Sequence, residues 1–555
     1  MPIRCLAAFT FVAAGVLSVS QADEVSDLRL VPFPKQVRIG DGEFALNRPL
    51  VLEHAARAGE TPVQIVCEEM KRGGFPAPKV VKVEGDAAGF RLSPAQGPVA
   101  PQAGSWSDQS VEHYRLRVTR DEIVARAPTP AGAVYAAQTL AQLLRANRRG
   151  DAIPCVEIDD WPSLRWRCFQ DDMTRGPSST LATLEFEAAL GAYLKMNLMT
   201  YYMEHQFAFE KHPKIGPPDG SLTPEDLAAL VKFAKPLGID ILGNQQSFGH
   251  FADILKHPEY ENVRETGSVL CPVKEESYKL LDDMYSEVCP LLPFPFFNVC
   301  CDETWGLGEG PSKELAQKIG VGGVYVQHIR RIHDLLAKKY KKRMMMWGDI
   351  ILKHPDKLAE IPKDVVMLTW GYGARDSFED QIVPFAASGF EFFVCPGVNN
   401  WSRVLPDFRA ASTNIRNFVR DGAKHGAIGM LNTSWDDDGE NLNAPNWYGF
   451  AWGAECAWNA SQTAQEDFDR RIGAVLFGEP GDEFGRAIQI LSDGRFCGMS
   501  NRTFWEAPTG LVRHDGQAQA EDYLKVIQEA IGHLDACRAG ATADADLVDP
   551  VRFGA

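Results

Sequence analysis

FFNVCCDETWGLGEG, residues 296–310, opens with six residues that suit a buried strand and then sets two carboxylates side by side, Asp302 and Glu303. Trp305, Gly306 and Gly308 follow and turn the chain. Neighbouring side chains on a strand point to opposite faces, so both acids can meet one ligand only if the strand ends at them. The stretch predicts a strand running through Cys300 and Cys301 into a reactive turn.

Similar short apolar runs flank it at 165–172, 196–203, 238–245, 295–301, 343–348, 364–370, 391–396 and 427–435, separated by helical segments. Alternating strands and helices predict parallel strands with helical crossovers, and eight strands close a (β/α)8 TIM barrel. A doubly wound sheet is the other α/β architecture to weigh, but it usually carries a glycine-rich phosphate loop after its first strand, and none follows 165–172. Thr223-Pro224-Glu225-Asp226 supplies an N-cap, a first-turn proline and acid for one helix. Tyr325, Ile329, Ile332, Leu336 and Tyr340 form the apolar face of another, and a third runs from Phe408 to His425 and stops at Gly426.

Before the barrel, Tyr114, Leu116 and Val118 alternate with charged residues, Arg120-Asp121-Glu122 turns, and IVARA returns. An alanine-rich helix at 131–147 follows. Four segments result: an export signal over 1–22, a small α+β domain over 23–160, the barrel over 161–460, and a C-terminal helical region over 461–555 packed on the barrel. The signal rests on Arg4, an apolar run from 6 to 18 and Ser20-Gln21-Ala22, which resembles a small-residue cleavage site. Periplasmic or extracellular localisation is expected, with no membrane span after cleavage.

The 555 residues carry a formal charge of −17, which argues against nucleic acid as a partner, since phosphate backbones are bound by clustered Lys and Arg. Twelve cysteines, one of them Cys5 in the signal, include no CxxC pair or metal spacing, so buried free thiols are expected. Oligomeric state is not legible.

Active sites of such barrels lie at the C-terminal ends of the strands. Those ends offer Asp171 and Asp172; Glu204 and His205; Gln245, Gln246 and His250; Asp302 and Glu303; Trp347 and Asp349; Trp370 and Tyr372; Asn399, Asn400 and Trp401; then Trp435, Asp436, Asp437, Asp438 and Glu440. Recurrent carboxylates and tryptophans suit a sugar, whose CH faces pack on indoles while its hydroxyls meet carboxylates. Asp302 and Glu303 also fit an N-cap and first-turn acid of the next helix; strand-end position among aromatics favours catalysis. Two carboxyls bracketing a bond usually come from different strands, whereas an adjacent pair fits an acid plus a neighbour orienting an acetamido group. His205, His250 and His257 with Glu204 lack a tight ligand motif, so neither metal nor organic cofactor is expected.

At these residues the chain resembles glycoside hydrolase family 20, the β-N-acetylhexosaminidases. The likeness is carried by WRCFQDDMTRG, YYMEHQF, QSFGH, NVCCDETW, MMMWGD and NTSWDDDGENL, with the segment from Tyr114 resembling the family's small α+β domain. The resemblance implies an exo-acting retaining enzyme that hydrolyses terminal GlcNAc or GalNAc of amino-sugar glycans through an oxazolinium intermediate. It assigns Glu303 as acid and base and Asp302 as the group holding the acetamido N–H. Arg167 would bind sugar hydroxyls, Trp347, Trp370 and Trp435 would wall the acetamido pocket, and Tyr372 would steady the acetamido oxygen. Glu204 and His250 would tune Glu303, and Asp437 or Glu440 would meet the outer hydroxyls. Cys300 stands where the family usually has glycine, which predicts crowding at the strand end, and Cys168 replaces another glycine. A catalytically impaired sugar-binding homologue, or a glycosidase of different specificity on the same barrel, are the alternatives.

Overall fold

The structure, a computed structural model, describes residues 25–84, 88–94, 111–439, 441–461, 463–493, 501–506 and 517–555. The proposed export signal and Glu440 lie outside the described residues. Two compact units meet in sequence between Trp161 and Pro162.

The first unit is a seven-stranded sheet: β1 Gln36–Ala45, β2 Val51–Ala55, β3 Lys79–Val83, β4 Ala88–Ser93, β5 Tyr114–Val118, β6 Ile123–Ala127 and β7 Ala152–Asp160, in the order β1-β7-β5-β6-β4-β2-β3. Only β2 and β3 run parallel. β5 and β6 form the expected hairpin: Tyr114, Leu116 and Val118 are buried, while Arg115 and Arg117 point to the opposite face. Helix Pro130–Ala146 covers β4, β5 and β6, capped by Thr129, whose hydroxyl accepts from the Gly132 N–H. Helix Thr61–Arg72 packs against it.

The second unit is a closed barrel of eight parallel strands: β8 Trp166–Asp172, β9 Leu198–Tyr202, β10 Asp240–Asn244, β11 Phe296–Asn298, β12 Arg343–Trp347, β13 Val366–Trp370, β14 Phe392–Cys395 and β15 Gly429–Thr433. β15 closes on β8 from Gly429 opposite Trp166 to Thr433 opposite Gln170. Leu198, Leu242, Met345, Leu368, Phe393 and Leu431 fill its core with Cys168 and Cys395, a packed interior rather than a pore. Thr223 and Asp226 form a full capping box for helix Pro224–Ala234. Helix Phe408–Lys424 ends before Gly426, whose φ of 82° suits glycine. The wholly buried helix Asn446–Trp458 packs on β8, β15 and Phe408–Lys424, and helices Gln465–Phe477, Glu483–Leu491 and Gln517–Gly540 stack outward from it in turn. Among the described residues no helix is long and apolar enough to cross a membrane.

The main departure from expectation is at β11, which ends at Asn298 rather than running through Cys301. Cys300 and Cys301 are therefore not strand neighbours.

Candidate active site

After Asn298 the chain leaves the pleat. Cys300, Cys301 and Glu303 have φ values of 60°, 66° and 46°, conformations that cost a non-glycine residue about 1–3 kcal/mol and persist only where the surroundings enforce them. The enforcing groups are in place. Asn298 Oδ1 accepts the Cys300 N–H at 2.9 Å, the Trp347 N–H donates to the Cys300 carbonyl at 2.9 Å, and the Tyr325 hydroxyl donates to the Cys301 carbonyl at 3.0 Å. Asp349 Oδ2 accepts the Glu303 N–H at 3.2 Å. A Cβ on Gly249 would lie 2.2 Å from the Asp302 carbonyl oxygen, so glycine there lets the loop after β10 seat against this one.

This winding answers the geometric problem of adjacent acids. His250 Nε2 lies 3.4 Å from Asp302 Oδ2 and 3.5 Å from Glu303 Oε2, so both carboxylates converge on one imidazole, at ion-pair rather than hydrogen-bond distance. The His250 Nδ1 lies 3.4 Å from Glu204 Oε1. Burial works against a charged imidazole, but Asp302 and Glu204 outweigh it and push His250 up to about 9. Burial raises the Asp302 carboxyl, yet His250 and the Gln246 amide, donating to Oδ1 at 2.7 Å, hold it below the usual range. Burial pushes Glu204 up to about 7, although it accepts from the Tyr202 hydroxyl at 2.9 Å and from Arg175 at 3.4 Å. At neutral pH the site therefore holds an ionised Asp302 against an imidazolium.

These groups open into a cleft of about 310 Å³ lined by Arg175, His250, Asp302, Glu303, Trp347, Trp370, Tyr372, Trp401, Ser402, Trp435 and Asp437. Tyr372 stacks on Trp370, with ring centres 5.2 Å apart and planes 21° apart, and its hydroxyl accepts the Trp435 indole N–H at 2.8 Å. The Arg175 guanidinium lies 5.0 Å from the Trp435 ring centre, donates to Asp172 at 3.2 Å and sits 3.6 Å from Asp437. A wider concavity of about 800 Å³ lies on the first unit's sheet. There Arg91 pairs with Glu53 and Glu122, Arg115 with Asp159 and Arg38 with Glu157, whereas the convergent acids are at the barrel mouth.

Residues 27–161 match the model of glycosyl hydrolase family 20, domain 2, and residues 190–399 match that family's catalytic domain. The two matches together span more than half of the chain. The chain belongs to glycosyl hydrolase family 20. Hexosaminidase D of Bos taurus is 28% identical over 197 residues, 34% of this chain and 56% of that protein. Beta-hexosaminidase of Vibrio furnissii is 22% identical over 437 residues, 70% of this chain and 66% of that protein. The chain thus spans between about half and two thirds of the length of these curated relatives. Among solved structures, Flavobacterium johnsoniae chitobiase superposes with a TM-score of 0.67 at 19% identity, covering 95% of this chain and 91% of that one. The Vibrio harveyi exo beta-N-acetylglucosaminidase in complex with N-acetylglucosamine gives 0.62 at 17%, covering 80% and 75%. At these identities the structural likeness establishes the family 20 fold alone.

Within that family 20 barrel, Arg167 is not where a sugar-binding arginine is expected. It is the second residue of β8, fully buried at the N-terminal end of the strand, donating to the carbonyls of Lys195 at 2.8 Å and Leu164 at 3.0 Å, with its guanidinium 4.9 Å from the Trp458 ring centre. The arginine at the mouth is Arg175, three residues beyond the end of β8. Both lie in WRCFQDDMTRG; only the direction of the strand tells them apart.

The crowding expected at Cys300 takes another form. Its side chain turns into the barrel core, 3.4 Å from Asn244 Oδ1, and the departure from glycine is borne by a left-handed backbone. Tyr202, Gln246 and Trp401 join the site from the second, third and seventh strand ends; the strand-end pattern offers Gln246 and Trp401, whereas Tyr202 reads as an ordinary core aromatic. Glu204, His205 and Asp253 present ligand atoms within 4.8 Å of one another, but Glu204 is already engaged by Arg175, Tyr202 and His250.

Proposed function

We propose that this protein is an exo-acting, retaining β-N-acetylhexosaminidase that removes terminal GlcNAc or GalNAc by substrate-assisted catalysis. The observation that carries this reading is the convergence of Asp302 and Glu303 on His250 at a cleft walled by Trp347, Trp370, Tyr372 and Trp435. Hexosaminidase names among the family 20 relatives favour the same substrate class.

In this mechanism Glu303 gives its proton to the glycosidic oxygen as the C1–O bond breaks. The ionised Asp302 accepts the acetamido N–H, and the acetamido carbonyl oxygen attacks C1 to form an oxazolinium ion. Tyr372, whose hydroxyl accepts from Trp435, has its own proton to donate to the acetamido oxygen. The leaving group departs as an alcohol. Water then attacks C1, Glu303 takes its proton, the oxazolinium ring opens, and the product keeps the β configuration. The His250 imidazolium sits between Glu204 and the acid pair and balances their charge. Arg175 and Asp437 supply the charged rim for ring hydroxyls, and a cleft of about 310 Å³ suits one pyranose rather than a polymer. Export is proposed on the basic start and apolar run of residues 4–18.

Nitrophenol release from an aryl β-GlcNAc, with the anomer of the first-formed product read by NMR, tests this reading. Absence of release, or equal activity on an aryl β-glucoside lacking the acetamido group, overturns it.

A further inference from the structure

The short helix Asp349–Leu352 follows β12 and carries a carboxylate to which the mechanism above gives no task. Asp349 Oδ2 accepts the N–H of Glu303, the last left-handed residue of the acid loop. Its Oδ1 is buried and has no hydrogen-bond partner among the described residues. Among those residues no Lys, Arg or His comes within ion-pair distance of it; the cation one turn along, Lys353, lies over the Trp305 ring at 3.8 Å.

A purely structural clamp does not require this charge. Asparagine would accept the same N–H without burying an ion, and a buried carboxylate with no paired cation is costly. The charged and titratable groups acting on Asp349 are Asp302 and Glu303 from the loop after β11 and Lys353 from its own helix, while the neutral Cys301 and Tyr325 feel its charge. It is therefore the third carboxyl of one cluster.

We propose that Asp349 is a positioning residue for the acid pair, fixing the Glu303 peptide through Oδ2 and setting the alkaline limit of activity through its charge. This rests on the hydrolase reading. Burial, with Asp302 next, pushes the Asp349 carboxyl up to about 7, so its charge appears as pH rises through neutrality. Repulsion between carboxylates is reciprocal. Once ionised, Asp349 opposes a further negative charge beside it, at the peptide it holds.

The test compares kcat/KM against pH on nitrophenyl β-GlcNAc for the wild type, Asp349→Asn, Asp349→Glu and Asp349→Ala. Asp349→Asn keeps an acceptor for the Glu303 N–H: its acid-side plateau is expected within about threefold of wild type, with the alkaline limb displaced downward by about one pH unit. Asp349→Glu, which keeps the charge, restores the limb toward wild type. Asp349→Ala, which loses the clamp as well, lowers kcat about tenfold or more with KM little changed. An Asp349→Asn limb that superposes on an active wild type overturns the proposal. A wild type with no hydrolysis sinks the hydrolase reading instead, and infrared difference titration then decides the charge on its own. The proposal requires a protonated carboxyl titrating near 7 that disappears in Asp349→Asn, and its absence from wild type counts against it.

Discussion

The indole N–H of Trp435 donates to the Tyr372 hydroxyl at 2.8 Å, tying the eighth strand end to the sixth across the cleft. Tyr372 is half-buried in the cleft wall, and burial holds its hydroxyl well above the ordinary phenol range, so it serves as a neutral donor. Tyr372→Phe is expected to lower kcat/KM on aryl β-GlcNAc by about 10- to 100-fold, the cost of one lost hydrogen bond to developing charge. Binding of a thiazoline analogue should weaken in parallel; unchanged kinetics would remove Tyr372 from the mechanism.

Glu303→Gln should lower kcat by about 10²–10⁴-fold, and the loss should be larger for substrates with poor leaving groups than for nitrophenyl glycosides. Asp302→Asn should be damaging for both classes alike, because it acts on the substrate's own nucleophile. A leaving-group dependence that is the same for the two variants contradicts the division of roles.

Arg175 and Arg167 separate binding from stability. Arg175→Lys, which keeps a cation beside the buried Asp172 but loses the planar fork, should raise KM and depress kcat/KM by about tenfold with a melting temperature near wild type. Arg167→Leu removes a buried guanidinium that donates to the carbonyls of Lys195 and Leu164, so it should lower the melting temperature by several degrees while the remaining folded enzyme keeps its KM. The reverse pattern would restore Arg167 to the sugar site.

Gly249→Ala places a methyl 2.2 Å from the Asp302 carbonyl oxygen, a clash with backbone that only a shift of the acid loop relieves. Catalysis depends on such positions to within about 1 Å, so kcat should fall at least tenfold in a protein that still folds. Retained kcat would show that the loop moves without consequence.

Stability should decline as pH rises from about 4 to 9. Burial raises Asp171 and Asp469 to about 6 and Glu204 and Asp349 to about 7; these four outnumber His328, which burial lowers to about 3 and which acts the opposite way, so over this lower window the folded state binds more protons than the unfolded chain and stability falls with pH. His250, raised to about 9, acts in the same direction: its contribution is complete below its unfolded value near 6.5 and is lost as pH rises through about 9. Melting temperatures by calorimetry should therefore peak in mild acid. A peak above about pH 8 would refute the assignments.

What the amino-acid order determined by itself is the set of eight strands, the small α+β domain ahead of them and the acid pair at the fourth strand end. Each is written in local periodicity: apolar runs, the Thr223 cap, the Gly426 stop, alternation at Tyr114, Leu116 and Val118. What only the tertiary structure decided is how the strands end. β11 halts at Asn298 because Gln246, Tyr325, Trp347 and Asp349, all from other segments, take up the peptides that follow. Those contacts wind Cys300, Cys301 and Glu303 into left-handed backbone, and no local pattern encodes a conformation that each residue alone would avoid. The same holds for Arg175 over Arg167. Seven residues separate them in one motif, but strand direction in a closed barrel sends one to the packed floor and the other to the open mouth.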